Sequence, residues 1–140
     1  MTNRQMAEIV RNQQPVILPP TATVQEACRT MHRRRIGAVL VTDPHQRLLG
    51  IFTGRDAVRF VASGKDGATT RLAAVMTRRP HTMAPGGTAV EALHLMRDGG
   101  FRHVPVVDRE ELVGVVSYGD FRGVEHDRVD VEAGYWERLR

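Results

Sequence analysis

Cysteine, aromatic side chains and long apolar segments are all scarce in this chain of 140 residues. The single cysteine, Cys28, excludes an intramolecular disulfide and a closed cysteine-rich zinc site. No apolar run approaches the roughly 20 residues that a membrane-spanning helix needs, and no secretory signal is visible. We therefore expect a cytoplasmic protein without a membrane span. Only 5% of the residues are aromatic, so the core is expected to consist of Val, Ile, Leu, Ala and Met.

The charge of the chain is basic, with a formal net value of +4. Arginine favours bidentate contacts with phosphate, so phosphate-bearing ligands are compatible with this charge, although a solvated basic surface is the simpler explanation. Arg33–Arg35 could attract phosphate or nucleic acid. This cluster ends a predicted helix, however, where cations are favourable in any case. Nucleic acid is therefore not the expected partner.

An internal repeat determines most of the architecture that the sequence predicts. Residues 79–92 resemble residues 14–27, which lie 65 positions earlier. After a one-residue change in a turn the offset becomes 64, which aligns Asp56 with Asp120. The chain is therefore a duplicated unit of about 60 residues.

Each repeat predicts the same order of elements, namely short strand, helix, strand, strand and helix. Thr23-x-x-Glu26 and Thr88-x-x-Glu91 are capping boxes that precede apolar residues at helical spacing. Short β-branched runs bounded by turn residues then predict the strands. Pro105 lacks an N–H, so its strand is expected at an edge or a bulge. A shorter final helix is expected from Gly119.

The repeats set the expected domain boundaries. We expect a first domain over residues 6–62, a polar linker over 63–72 and a second domain over 73–124. One such unit cannot cover both faces of its sheet, so the two are expected to pack together. The C-terminal tail, residues 125–140, contains adjacent Tyr135 and Trp136 and is expected to dock on the chain's own core or on a second subunit.

This organisation resembles the CBS domain family. The matching segments are Thr-Val-Gln-Glu-Ala and Thr-Ala-Val-Glu-Ala at the helix starts, Val-Pro-Val-Val-Asp at 104–108, Gly-Ile-Phe-Thr-Gly-Arg-Asp at 50–56 and Gly-Val-Val-Ser-Tyr-Gly-Asp at 114–120. The resemblance covers residues 6–124 and implies a stand-alone, bacterial-type tandem CBS pair, or Bateman module. The implied fold is α/β (α+β), with two domains, each a small three-stranded sheet with two helices, packed about a pseudo-twofold axis.

The resemblance also implies that clefts between the repeats bind adenosine-containing ligands. AMP, ADP or ATP are expected as regulatory ligands, with S-adenosylmethionine or NAD as further candidates, and no catalytic cofactor is expected. The Thr or Ser and the Asp of each strand-to-helix turn would hold ribose and phosphate. A carboxylate can accept two hydrogen bonds from ribose hydroxyls, and a helix start offers N–H groups to phosphate. The expected ligand-binding residues are Thr53, Arg55, Asp56, Ser117 and Asp120 at the turns, with Ile17, Ile36, Gly37, Ala38, Thr82, Phe101, Arg102 and His103 around the adenine.

The two turns are not expected to be equivalent. Arg55 precedes Asp56 in the first repeat and could reach a further phosphate, whereas Gly119 occupies the aligned position in the second. Both turns are also explained by helix capping alone. Tyr118, beside Ser117, could stack on a base, although packing is the simpler role.

The expected function is regulation rather than catalysis. Neither a Ser/His/Asp set nor a metal-ligand spacing is suggested by the residue order, and Cys28 lies on an apolar helix face. Ligand binding would be communicated to another protein that the sequence does not identify, and the resemblance implies a homodimer. Two alternatives stay open: a structural or interaction dimer with degenerate clefts, and a small nucleic-acid-binding protein.

Overall fold

The computed structural model describes residues 3–121, 123, 125 and 126, and the residues of the expected tail beyond His126 lie outside this description. The chain forms two compact units. Unit 1 comprises the described residues of Met1–Gln13, His81–Asp108 and Val113–Arg140, and unit 2 comprises Gln14–Pro80 and Arg109–Leu112. Among the described residues, no helix combines the length and the apolar character that crossing a membrane requires.

The chain is built of helices and small sheets, and the α/β class is confirmed. The elements are α1 (Met6–Ile9), β1 (Ile17–Leu18), α2 (Val24–Arg34), β2 (Ala38–Thr42), β3 (Leu48–Thr53), α3 (Gly54–Ala62), α4 (Leu72–Val75), β4 (Thr77–Arg78), α5 (Ala89–Gly99), β5 (His103–Asp108), β6 (Glu111–Ser117) and a 3-10 turn (Tyr118–Asp120). Where a short helix was expected from Gly119, the structure has this turn, and Gly123, Glu125 and His126 are helical.

Unit 2 contains a four-stranded sheet in the order β1-β2-β3-β4. The central strand β2 is parallel to β1 and antiparallel to β3, and each of its five residues is buried. Strand β4 pairs antiparallel with β3. The core of the unit is apolar, as the low aromatic content predicted, and consists of Ala22, Val24, Ala27, Met31, Val39, Val41, Phe52, Phe60, Leu72 and Met76.

Unit 1 has a two-stranded sheet of β5 and β6, to which Met83 adds a single parallel bridge with Val106. The first repeat supplies three strands, as expected, and β4 joins its sheet from the segment that leads into the second repeat. In unit 1 the third strand is reduced to the Met83 bridge. The core of unit 1 consists of Met6, Val10, Ala89, Val90, Ala92, Leu93, Met96, Val104, Val106, Val116 and Phe121.

Pro105 explains why the first strand of the second repeat shrinks to one bridge. In unit 2 the N–H of Leu40 donates to the carbonyl of Val16 at 3.0 Å. Pro105 occupies the aligned position, 65 residues later, and has no N–H to donate. Its carbonyl still accepts from the Met83 N–H at 3.0 Å. The missing donor therefore faces the Met83 segment, which confirms that Pro105 lies on the edge side of its strand.

The segment that leads into each repeat packs in the unit of the other repeat. Gln5, which precedes α1, forms a bridge with Thr88, and Arg71, which precedes α4, forms the corresponding bridge with Thr23. Helix α1 belongs to unit 1 and α4 to unit 2, although their positions along the chain suggest the opposite. The boundaries of the compact units therefore differ from those of the sequence repeats.

A side chain in unit 1 occupies the place that a strand occupies in unit 2. In unit 2, Ile51 of β3 pairs with Thr77 of β4. In unit 1, the aligned residue Val115 donates its N–H to Oε1 of Gln13 at 2.6 Å, and its carbonyl accepts from Nε2 of Gln13 at 2.9 Å. A single side-chain amide thus satisfies the same backbone groups that β4 satisfies in unit 2.

Candidate ligand-binding site

The turn from β3 into α3 is closed by a reciprocal capping box. The N–H of Thr53 donates to Oδ2 of Asp56 at 3.0 Å, and the N–H of Asp56 donates to Oγ1 of Thr53 at 3.2 Å. The predicted capping role of this turn is therefore confirmed. The box fixes the Asp56 carboxylate against the start of α3, where the positive end of the helix dipole favours anions.

Asp56 is the buried centre of this turn, with an exposed fraction of 9%. Its Oδ1 lies 3.5 Å from Oγ1 of Thr77 on β4 and 3.6 Å from a guanidinium nitrogen of Arg59. Both distances exceed the roughly 2.7–3.2 Å of well-formed hydrogen bonds. Oδ2 is engaged by the turn, whereas Oδ1 keeps the capacity to accept further hydrogen bonds.

The corresponding turn in unit 1 joins β6 to the 3-10 turn. The N–H of Ser117 donates to Oδ2 of Asp120 at 2.7 Å, which repeats the contact between Thr53 and Asp56. Asp120 is exposed, in contrast to Asp56. Nη2 of Arg4 donates to the Asp120 carbonyl at 2.8 Å and to Oε1 of the buried Glu125 at 2.9 Å. Arg4 thereby ties the turn to the N-terminal segment of the chain.

In unit 2, the structure brings Gly37 and Ala38 to the Thr53 turn. Ala38 is the pairing partner of Thr53, and the N–H of Gly54 donates to the Gly37 carbonyl at 3.0 Å. Arg55 is exposed on the first turn of α3. Gly37 is exposed as well, whereas Ala38 is buried.

Two other predicted residues of unit 2 lie farther from this turn. Ile17 pairs with Leu40, two residues along β2 from the partner of Thr53, and its side chain is exposed. Ile36 packs against the apolar core. A core role therefore accounts for Ile36.

In unit 1, Arg102 lies at the Ser117–Asp120 turn. The N–H of Tyr118 donates to the Arg102 carbonyl at 2.9 Å, and the Arg102 guanidinium carbon lies 4.5 Å from the centre of the Tyr118 ring. This is the geometry of a cation–π contact. Tyr118 also lies 4.6 Å from the His126 ring, centre to centre.

The remaining predicted residues of unit 1 divide between surface and core. Phe101 packs against the core and stacks on His81, with ring centres 5.3 Å apart. Thr82 is exposed.

His103 is the titratable side chain of this site whose ionisation is most clearly altered. Burial lowers the pKa of His103, and the nearby positive charge of Arg102 lowers this pKa further. The carboxylate of Asp120 acts in the opposite direction. His103 is therefore predominantly neutral near pH 7 and can accept as well as donate a hydrogen bond.

Thr77 and Arg4 are two site residues that the sequence did not identify. Thr77 belongs to the Val75-Met76-Thr77 segment that precedes the second repeat, but its contact with Asp56 depends on the pairing of β4 with β3. Arg4 lies 116 residues from Asp120, and no local pattern indicates that contact.

A shallow pocket of about 230 Å³ lies beside Asp56 in unit 2. It is lined by Asp56, Arg59, Phe60, Ser63, Lys65 and Val75. This volume is smaller than the roughly 300–1,000 Å³ of typical small-molecule pockets. The pocket alone therefore does not argue for a nucleotide, and among the described residues no cluster of metal-ligating side chains is present either.

Comparison with known proteins gives a consistent family. The family model of the CBS domain matches residues 7–63 and 72–127. The chain is 35% identical over 108 residues to the CBS domain-containing protein YhcV of Bacillus subtilis, with 76% of each chain covered. It is 37% identical over 109 residues to the CBS domain-containing protein CBSCBSPB1 of Arabidopsis thaliana, covering 77% of this chain and 20% of that relative.

Among solved structures, the chain is similar to a CBS domain protein from Pyrobaculum aerophilum complexed with AMP. The TM-score is 0.82 and the sequences are 28% identical, with 91% of this chain and 99% of that chain covered. By contrast, the chain spans about a fifth of the length of the plant relatives. The structural match therefore extends over nearly the whole chain, whereas the plant match concerns one part of larger proteins.

Proposed function

Because the chain belongs to the CBS domain family, we propose that it is a regulatory module that binds adenosine-containing ligands such as AMP, ADP or ATP. The observation that carries this proposal is the repeated turn in which Thr53 and Ser117 each donate a backbone N–H to an aspartate three residues later. The similar protein from Pyrobaculum aerophilum, which was solved with AMP, supports the same ligand class.

We assign the ribose to the aspartates and the phosphate to the helix start. Oδ1 of Asp56 has only long contacts, so it can accept hydrogen bonds from the vicinal ribose hydroxyls. The backbone N–H groups and the dipole at the start of α3 favour a phosphate, and Arg55 is placed to add a charged hydrogen bond to it. In this proposal Gly37 and Ala38 line the adenine position, as does His103 in unit 1.

Isothermal titration calorimetry of the full chain with AMP, ATP, NAD and S-adenosylmethionine tests the proposal. We expect at least one of them to bind with a Kd below about 1 mM. Asp56→Ala and Asp120→Ala should each remove one binding site. Asp66→Ala is the matched control, because Asp66 also accepts a backbone N–H in a turn, at 2.9 Å from the N–H of Ala68, but lies outside the candidate site.

The outcomes separate the proposal from its alternatives. If none of these ligands binds below about 1 mM, the proposed function is wrong and a structural or interaction protein is the better description. If a ligand binds and both aspartate variants retain full stoichiometry, the assigned residues are wrong. A steep loss of RNA or DNA binding with increasing salt would instead favour the nucleic-acid alternative.

We further propose that the ligand state is read by another protein and that the chain acts as a homodimer. A ligand changes a regulatory equilibrium only when it binds the two states with different affinities. Light scattering with and without AMP measures the oligomeric state, and a chain truncated after Val124 tests the tail. An unchanged dimer after truncation would contradict the docking role of residues 125–140.

A further inference from the structure

At two aligned positions, one repeat has glycine where the other has arginine, and the order is reversed between the two positions. Gly37 of the first repeat aligns with Arg102 of the second, and Arg55 of the first repeat aligns with Gly119 of the second. Each repeat thus carries one arginine at this pair of positions, on the segment before the strand in one case and at the start of a helix in the other.

The structure shows that the two positions adjoin in both units. In unit 2 the N–H of Gly54 donates to the Gly37 carbonyl at 3.0 Å, and in unit 1 the N–H of Tyr118 donates to the Arg102 carbonyl at 2.9 Å. Gly54 and Tyr118 are themselves aligned and each directly precedes the second position of the pair. An arginine at either position therefore projects from the same corner of the fold.

Tyr118 holds the Arg102 guanidinium at this corner. The guanidinium carbon lies 4.5 Å from the ring centre of Tyr118, which lies in sequence between Ser117 and Asp120. A guanidinium that stacks on an aromatic ring keeps its N–H donors in the plane, available to a phosphate. Glycine at the aligned position in unit 2 has no such side chain.

The positive charge of Arg102 acts on the neighbouring side chain of His103. Arg102 lowers the pKa of His103, and Asp120 raises it. Because the bond between Tyr118 and Arg102 repeats the bond between Gly54 and Gly37, Arg102 adjoins the Ser117–Asp120 turn as Gly37 adjoins the turn that carries Arg55 in unit 2.

We propose that Arg102 binds the 5′-phosphate of the adenosine ligand at the Ser117–Asp120 turn, where it takes the part that Arg55 has at the Thr53–Asp56 turn. This assignment rests on the proposed function and gives Arg102 a different part from the adenine contact that the sequence suggested. It makes Arg102, positioned by Tyr118, a residue that determines preference for phosphorylated adenosine over adenosine itself.

The test compares adenosine with AMP by calorimetry of the full chain. Arg102→Ala should weaken AMP binding at one site roughly 10- to 100-fold, the loss expected for a charged hydrogen bond, while adenosine binding changes less than about threefold. Arg11→Ala is the matched control, because Arg11 is an exposed arginine of the same unit. It removes the same charge and should leave both affinities unchanged.

A second variant tests whether an arginine at position 119 can replace the charge that Arg102→Ala removes. A Cβ atom at Gly119 would meet no heavy atom within 4 Å, so an arginine fits there. Arg102→Ala combined with Gly119→Arg should restore the preference for AMP, whereas Arg102→Ala combined with Gly119→Ala should not. Circular dichroism of each variant establishes that the fold is retained.

The outcomes of the two proposals differ. If wild-type protein binds AMP and Arg102→Ala retains the wild-type ratio of AMP to adenosine affinity, the assignment of Arg102 is overturned and the proposed function stands. If wild-type protein binds neither ligand, the proposed function is overturned and the assignment with it. Equal weakening of AMP and adenosine by Arg102→Ala would also overturn the phosphate contact and would favour the adenine position.

Discussion

Unit 2 completes its sheet with backbone, whereas unit 1 completes its sheet with a side chain. In unit 2 the strand β4 follows α4 and pairs with β3. In unit 1 the amide of Gln13 binds Val115 across a sequence separation of 102 residues. Aligned backbone groups in the two repeats can thus form their hydrogen bonds with different partners, a strand in one unit and a side chain in the other. It also means that unit 1 depends on the first residues of the chain.

The largest expected loss of stability follows substitution of Arg4 in unit 1. Its side chain makes a bidentate contact with Glu125, whose own side chain is fully buried. Arg4→Ala removes the guanidinium from this buried carboxylate and leaves the bond from the backbone N–H of residue 4, so we expect a loss of about 3 kcal/mol of unfolding free energy. Urea denaturation measures the loss.

Thr70 supplies the matched control in unit 2. The Arg4 carbonyl accepts from Ala89 N–H in unit 1, and the Thr70 carbonyl accepts from Val24 N–H in unit 2. The Thr70 side chain makes only an exposed bond to the Asp66 carbonyl. Thr70→Ala should therefore cost less than about 1 kcal/mol. Equal losses for the two variants would show that the ion pair does not distinguish the units.

The next largest losses of stability are expected at Gly50, which lies against β4, and at Gly114, which lies against the N-terminal segment. A Cβ at Gly50 would lie 2.7 Å from the carbonyl oxygen of Thr77, and a Cβ at Gly114 would lie 2.6 Å from Cβ of Val10. Each alanine variant should lose about 2 kcal/mol, the size expected for overpacking. Gly54→Ala is the control, since nothing lies within 4 Å of its Cβ position.

Hydrogen exchange then distinguishes how each unit responds. Gly114→Ala should displace the N-terminal segment and speed exchange at Met6 and Ala7, whose N–H groups donate to the carbonyls of Gly87 and Pro85. Gly50→Ala should instead speed exchange at the amides that pair β4 with β3. Faster exchange at Met6 and Ala7 in both variants would contradict independent closure of the two sheets.

Removal of the Gln13 amide should have a smaller effect. Gln13→Ala loses the two hydrogen bonds to the backbone of Val115, and we expect a loss of about 1–2 kcal/mol. Gln13→Glu keeps an acceptor for the Val115 N–H but opposes a carboxylate to its carbonyl, so it should not restore stability. The neighbouring Gln14→Ala, at an exposed position, should stay within about 0.5 kcal/mol in chemical denaturation. A loss no greater in Gln13→Ala would refute the strand-like role of the amide.

The smallest expected effect is a pH dependence confined to unit 1. His103 aligns with Ala38, so unit 2 has no titratable side chain at this position. The pKa of His103 is lowered in the folded state from the ordinary value of 6.5, so the unfolded chain binds the proton more readily. Stability is therefore retained above about pH 6.5 and falls as the pH decreases toward the lowered pKa.

Denaturation of wild type and His103→Gln between pH 7.5 and 5, in roughly half-unit steps, measures this effect across the His titration range. The stability of the variant relative to wild type should increase as the pH falls. Parallel curves for the two proteins would show that His103 does not contribute to the pH dependence.

Sequence reasoning captured those features that depend on residues a few positions apart. The hydroxyls of Thr23 and Thr88 accept the N–H groups of Glu26 and Glu91, as predicted. The return bond to each glutamate carboxylate, which would complete the predicted capping boxes, is not formed at either of these described turns. The three strands expected per repeat are present in the first repeat as β1, β2 and β3, whereas the addition of β4 to that sheet depends on long-range pairing. Pro105 was recognised as an edge residue, but the sequence did not show that it would reduce the preceding strand to one bridge.

The duplication and the Thr53–Asp56 and Ser117–Asp120 turns could be predicted from the sequence, because each depends on composition and on spacings of three or four residues. Which of the segments before the repeats completes the sheet of each unit is visible only in the tertiary structure. It also placed Arg4 on Asp120. These contacts join residues about a hundred positions apart, and their formation depends on the packing of whole segments, which no short pattern specifies.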